Sequence, residues 1–178
     1  MEIESWPASS SSRSQRWSNG ILEYWSIAQS HYSTTPPLHY SNLMTIRGSC
    51  LCGGIRFEVT PPFVRASHCH CERCRKHSGT AVCTQARVPK EQFRLLQGNE
   101  LIQVYGKGEG AVKAFCRTCG SSMFGGDWPD GPEVSIRMGA FDDDPGIRPQ
   151  FHTFVSDRAS WDTITDDLPQ HATGWSPT

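Results

Sequence analysis

The chain has 178 residues, enough for one ordinary domain, with 37% hydrophobic and 20% charged residues and with Trp and Phe in 6 and 8 copies. A net charge of −1 supplies no field that would draw it to nucleic acid or an anionic membrane. Apolar residues rarely run beyond three in succession, so neither a membrane-spanning helix nor the apolar segment of a secretory signal can be placed. A soluble, cytoplasmic protein with no nucleic-acid or membrane partner is expected.

Residues 1–43 hold 11 Ser and no Cys, Lys or Phe. No helical or alternating period organises them, so disorder is the expectation for this Ser-rich stretch. Arg13 and Arg16 fit a transit peptide, but Glu2, Glu4 and Glu23 do not. Met44 opens MTIRGSCLCGG, which reads as the start of a folded domain over 44–178, with 1–43 an optional extension or an over-long gene start. Ile55, Phe57 and Val59 alternate with Arg56 and Glu58, a half-buried strand stopped by Pro61 and Pro62. Further strands are predicted over 81–88, 101–105, 112–116, 133–140 and 150–155, with turns at 106–110 and 128–132. Residues 89–93 predict one helical turn, with Pro89 at a tolerated first position. Many short strands and little helix indicate an irregular, mainly β domain whose sheet edges need support.

Seven of the eight cysteines fall in tight clusters: Cys50 with Cys52, Cys69 with Cys71 and Cys74, and Cys116 with Cys119. Disulfide scaffolds of secreted proteins scatter their cysteines, so clustering points to metal ligation in a reducing compartment. A Cys-x-Cys on extended backbone places both sulfurs on one side, and a Cys-x-x-Cys turn converges two more. Gly53 and Gly120 follow the two pairs and permit the positive φ that tight turns require. Together Cys50, Cys52, Cys116 and Cys119 offer a closed tetrahedral zinc site, although spacing alone leaves open which pairs share a metal.

The segment SHCHCERCRKHSG packs Cys69, Cys71 and Cys74 into six residues. Three thiolates hold one zinc and leave a tetrahedral position for water or a substrate thiol, the pattern of a catalytic site. The alternative is a site closed by Cys83, His68, His70 or His77. Cys83 lies in an apolar stretch and reads as core. On extended backbone His68 and His70 would point away from the Cys69 sulfur, as structural residues or as proton acceptors. Arg73, Arg75 and Lys76 lie in the same stretch, either offsetting thiolate charge, holding an acidic ligand or facing solvent.

The blocks GSCLCGGIRFEV, SHCHCERCRKHSGT and AFCRTCGSSMF, with the later VSIRMGAFDDDPGIRPQFHTFVSDRASW and DDLPQH, resemble the glutathione-dependent formaldehyde-activating family over about residues 46–171. That resemblance implies a small, zinc-stapled β-tent of packed antiparallel sheets. It implies two zinc ions per chain, structural on Cys50, Cys52, Cys116 and Cys119 and catalytic on Cys69, Cys71 and Cys74. The implied reaction, that of a carbon–sulfur lyase, joins glutathione and formaldehyde to S-hydroxymethylglutathione or reverses that step. The partners are then a small thiol and a small aldehyde. A non-catalytic zinc scaffold for protein contacts is the competing reading, as resemblance to the centromere protein V branch would allow.

Overall fold

The computed structural model describes residues 45–106 and 110–176. The disorder expected over 1–43, and the middle of the turn expected at 106–110, lie outside the described residues. Strand β1 (Ile46–Ser49) pairs antiparallel with β2 (Arg56–Val59), which pairs antiparallel with β5 (Phe93–Gln97). As its alternation predicts, β2 buries Phe57 and Val59, while Glu58 pairs with Arg94 across the ladder.

The larger sheet has seven strands in the order β10-β3-β4-β9-β8-β7-β6. Its members are β3 (Arg65–Cys69), β4 (Cys83–Pro89), β6 (Ile102–Tyr105), β7 (Val112–Cys116), β8 (Ser122–Gly126), β9 (Glu133–Arg137) and β10 (His152–Thr153). The fold is mainly β, as expected, with one difference: the edge strand β10 runs parallel to β3. The strand predicted over 150–155 is cut to two residues because Phe154 takes φ 56, which breaks the extended path. The strand predicted over 133–140 ends at Arg137, and Met138–Ala140 coil into a 3-10 turn. The turn predicted after Pro89 forms over Lys90–Gln92, with Pro89 capping it rather than beginning it.

One apolar core lies between the two sheets. Phe57, Val59, Val88, Ala114, Phe124, Val134 and Ile136 fill it, and Phe57 is 0% exposed. The Phe57 ring stacks on Phe93 at 5.6 Å and meets Phe124 and Phe141 edge-on at 5.5 and 5.7 Å. It therefore bridges both sheets, and Phe57→Ala is expected to cost about 3–5 kcal/mol through lost burial and the cavity left behind. Urea denaturation of the whole chain measures this, and a loss below about 1 kcal/mol would show that the site collapses around the smaller side chain.

The opposite face of the larger sheet is covered by the short helix α1 (Glu72–Ser78). Cys71 caps it, its Sγ accepting from Cys74 N, and Gly79 closes it in the left-handed region. Alternation along β4 and β7 then sends Cys83, Gln85 and Lys113 to the helix side and Ala86, Val88 and Ala114 to the core. Among the described residues no helix is long and apolar enough to cross a membrane.

Candidate metal centres

Cys50, Cys52, Cys116 and Cys119 converge, their sulfurs all within 4.8 Å of one another. The Cys50 and Cys52 sulfurs are 3.5 Å apart, and those of Cys52 and Cys116 are 3.8 Å apart. A tetrahedral zinc with bonds near 2.3 Å requires sulfur–sulfur edges of about 3.8 Å, so the donor set fits such an ion. The first pair converges through a tight turn rather than along extended backbone: Gly53 N donates to Cys50 O at 2.8 Å. The second does the same, with Gly120 N donating to Cys116 O at 2.8 Å. Gly53 and Gly120 take φ 71 and φ 76, which an L side chain would strain.

Burial works against ionising Cys50, but the Ile55 amide, donating to its Sγ at 3.2 Å, and the Cys52 sulfur outweigh it and lower the thiol. Hydrogen bonding with the Ser121 hydroxyl lowers Cys119 to about 5. Both shifts favour the thiolate form that a metal needs, while Cys52 moves the other way, to about 11, because the lowering by the Gly54 amide is outweighed by the Cys50 and Cys119 sulfurs.

The second group is Cys69, Cys71 and Cys74, again with all sulfurs within 4.8 Å. Cys69 ends β3, Cys71 is the cap of α1, and Cys74 lies in its first turn, so the strand-to-helix junction brings the three together. Among the described residues no fourth His, Cys, Asp or Glu offers a ligand atom within this mutual set. Cys83 is 2% exposed, packs against Cys69 and Cys74 and stays outside the set. Its place opposite Cys69 in the β3–β4 ladder makes it the floor of the site. Hydrogen bonds from Cys69, Cys71 and Cys83, with Lys113 behind them, hold Cys74 far below the ordinary thiol range. Cys69 moves upward, first because of Cys71 and then Cys74, so negative charge collects on Cys74.

That charge is met by Lys113, whose Nζ donates to Cys74 Sγ at 3.1 Å. The nearby basic residues in sequence are turned elsewhere by the helix. Arg75 donates to the carbonyls of His70 and Asp157, both at 3.0 Å, and Lys76 pairs with Glu72 at 2.7 Å in solvent. His77 Nδ1 hydrogen-bonds the Ser122 hydroxyl at 2.7 Å. Burial, then Arg137 and Lys113, push His77 down to about 4 and keep it neutral at pH 7.

His68 and His70 turn away from the Cys69 sulfur and meet β10. The His68 ring stacks on His152 at 4.8 Å. His70 Nε2 and His152 Nδ1 are 2.8 Å apart, and His152 Nε2 reaches Asp166 at 3.0 Å. Burial, then His152, lowers both His68 and His70. Sequence reasoning missed His152, 82 residues from His70, and Asp166, which meets His152 from 14 residues further on. A cleft of about 330 Å³ beside the first group is lined by Cys50, Leu51, Ser121 and Ser122. Ser122 links this cleft to His77.

A Halomonas elongata protein that carries the formaldehyde-activating family's name is 27% identical over 127 residues, covering 66% of this chain and 80% of that protein. An uncharacterised Schizosaccharomyces pombe lyase is 30% identical over 81 residues, covering 43% of this chain and 54% of its own length. A solved Rhodobacter sphaeroides protein is 26% identical with TM-score 0.45, covering 58% of this chain and 91% of that one. The profile described as "Glutathione-dependent formaldehyde-activating enzyme" matches residues 45–157, which takes in both cysteine groups and the sheets that hold them. The chain belongs to the glutathione-dependent formaldehyde-activating family.

Proposed function

We propose that the protein is a zinc-dependent carbon–sulfur lyase-type enzyme. It condenses glutathione, or a similar thiol, with formaldehyde to S-hydroxymethylglutathione, or runs the reverse reaction. The observation that carries this reading is the three-sulfur group of Cys69, Cys71 and Cys74, which offers three protein donors where a closed site would offer four. Cys50, Cys52, Cys116 and Cys119 would hold a structural zinc, giving two per chain. Thiolate ligands of both sites need a reducing compartment, and the cytoplasm is the location proposed.

Zinc at the second group would take the substrate thiol as a thiolate and lower its pKa, presenting a nucleophilic sulfur at neutral pH. The residues hold that arrangement rigid. Cys74 is fixed by Lys113 and by the first turn of α1, Cys69 by the β3–β4 ladder, and Cys71 by its capping contact with Cys74 N. Sulfur then attacks the aldehyde carbon, a carbon–sulfur bond forms, and the carbonyl π pair becomes an alkoxide. The proton given up by the thiol ends on that oxygen, so atoms and charge balance. A zinc held by three thiolates would be a weak Lewis acid toward the aldehyde, so binding and orienting the thiol would supply the rate gain.

X-ray absorption at the metal edge, with and without glutathione on the two-metal protein, tests the reading. Glutathione is expected to add one sulfur to one of the two metals. Unchanged sulfur coordination, with both metals retained, would favour the non-catalytic scaffold.

A further inference from the structure

Lys113 and Arg137 are buried cations, each 5% exposed, on the face of the larger sheet that α1 covers. Arg137 is the register partner of Gln85, and its Nη1 donates to Gln85 Oε1 at 2.6 Å. Its guanidinium lies over Gly125, where a Cβ would sit 2.5 Å from Nη2 and 3.2 Å from Cζ. A side chain at 125 would force the guanidinium to shift. Gly125 is in turn the register partner of Lys113, whose Nζ donates to Cys74 Sγ. Guanidinium, ammonium and ligand sulfur thus follow one another across β9, β8 and β7. Gln85 lies two residues along β4 from Cys83, on the same face, and Cys83 packs against Cys69 and Cys74, which brings Arg137 toward the same group of sulfurs.

Burying two cations is unfavourable unless anions share the space. Among the described residues neither ion-pairs with a carboxylate: Lys113 has the Cys74 sulfur, Arg137 has a neutral amide oxygen, and Arg137 Nε is buried without a partner. A divalent metal on three thiolates carries one net negative charge, which balances one of the two cations. The second is balanced only when the fourth ligand is itself an anion.

We propose that Lys113 and Arg137 are positioning residues that make the fourth position of the Cys69, Cys71 and Cys74 centre select an anionic sulfur ligand over a neutral one. This rests on the reading of that centre as a metal site open to a substrate thiol. The pair acts through fixed positive charge, strengthened by a water-poor setting between sheet and helix.

The test uses the full chain with cobalt(II) in place of zinc, titrated with 2-mercaptoethanol and separately with imidazole, and read by the sulfur-to-cobalt charge-transfer and d–d bands. Lys113→Met and Arg137→Met, each confirmed to hold two metals, are expected to weaken 2-mercaptoethanol binding by about tenfold and leave imidazole within about twofold. Lys113→Arg is expected to recover most of the loss. Unchanged thiol affinity in the Met variants, or parallel loss of both ligands, overturns the proposal. A parent protein that binds neither ligand overturns the reading beneath it as well, which separates the two failures. Should either Met variant lose its second metal, Lys113→Gln or Arg137→Gln takes its place. In them the charge is gone and the side-chain length is nearly kept, and 2-mercaptoethanol is again expected to weaken by about tenfold with imidazole within about twofold. Unchanged thiol affinity there overturns the proposal.

Discussion

Replacing Cys116 with serine is expected to yield a chain with no cooperative thermal transition. Cys116 is 0% exposed at the end of β7, and its sulfur meets that of Cys52, 64 residues earlier, beside the turn that follows β1. Those turns belong to different sheets, so a metal there ties the smaller sheet to the larger at one corner of the core. Zinc on such a site contributes on the order of 10–16 kcal/mol, against a total stability of about 5–15 kcal/mol for an ordinary domain. The protein has few alternatives to this staple. Its strands are four to seven residues long apart from the two-residue β10, and its one α-helix among the described residues has seven. Calorimetry paired with metal analysis reads the outcome. A cooperative transition near the parent temperature, with one metal gone, would show that the sheets hold together unaided and that the first group is not a staple.

How far the sequence reveals this architecture depends on whether the signal is local. Cysteine spacing is local, and the seven clustered cysteines come together as two groups. The alternation of Phe57 and Val59, and the strand over Val112–Cys116, are equally legible because one side of each faces the apolar core. Lys113 carries no local signal of its role. Between Val112 and Ala114 it reads as the solvent side of a half-buried strand. The structure covers that side with α1, so the alternate position is buried and charged rather than exposed. The helix escaped notice because ERCRKHS has no apolar stripe, and Cys74 is its one buried residue. Strands β3 and β8 were missed for a related reason. RASHC and SMFGG are buried on both faces, and their small or polar residues give no period-two contrast. For Arg73, Arg75 and Lys76 the sequence leaves open whether they offset thiolate charge, hold an acidic ligand or face solvent; helical geometry turns Arg73 and Arg75 to backbone carbonyls and Lys76 to solvent. The counter-charge arrives instead from strands that the sequence places 39 and more residues away.

Cys71→Ser separates the second centre from the first, because it removes a metal donor and spares the local fold. Cys71 caps α1 through its side chain, and serine is among the best residues for that role. The substitution therefore keeps the contact with Cys74 N while withdrawing one thiolate. Nothing distant is untied: the three cysteines span six residues, β3 keeps its ladder with β4, and Gly79 still closes the helix. Metal content is expected to fall from two to one, with the melting transition still cooperative. Condensation of glutathione with formaldehyde should fall by about a hundredfold or to the uncatalysed background, the scale of losing a group that stabilises the reacting charge. The Lys113 ammonium and the Arg137 guanidinium remain in place, so the loss reports the metal and its sulfur ligand rather than collapse of the charged pocket. A mild chelator applied to the parent should reproduce the same one-metal state, since the second group offers three donors against the four of the first and leaves a position through which the chelator can enter. Two metals retained with full turnover in Cys71→Ser would remove the three-cysteine centre from the chemistry and leave the β scaffold without an assigned reaction.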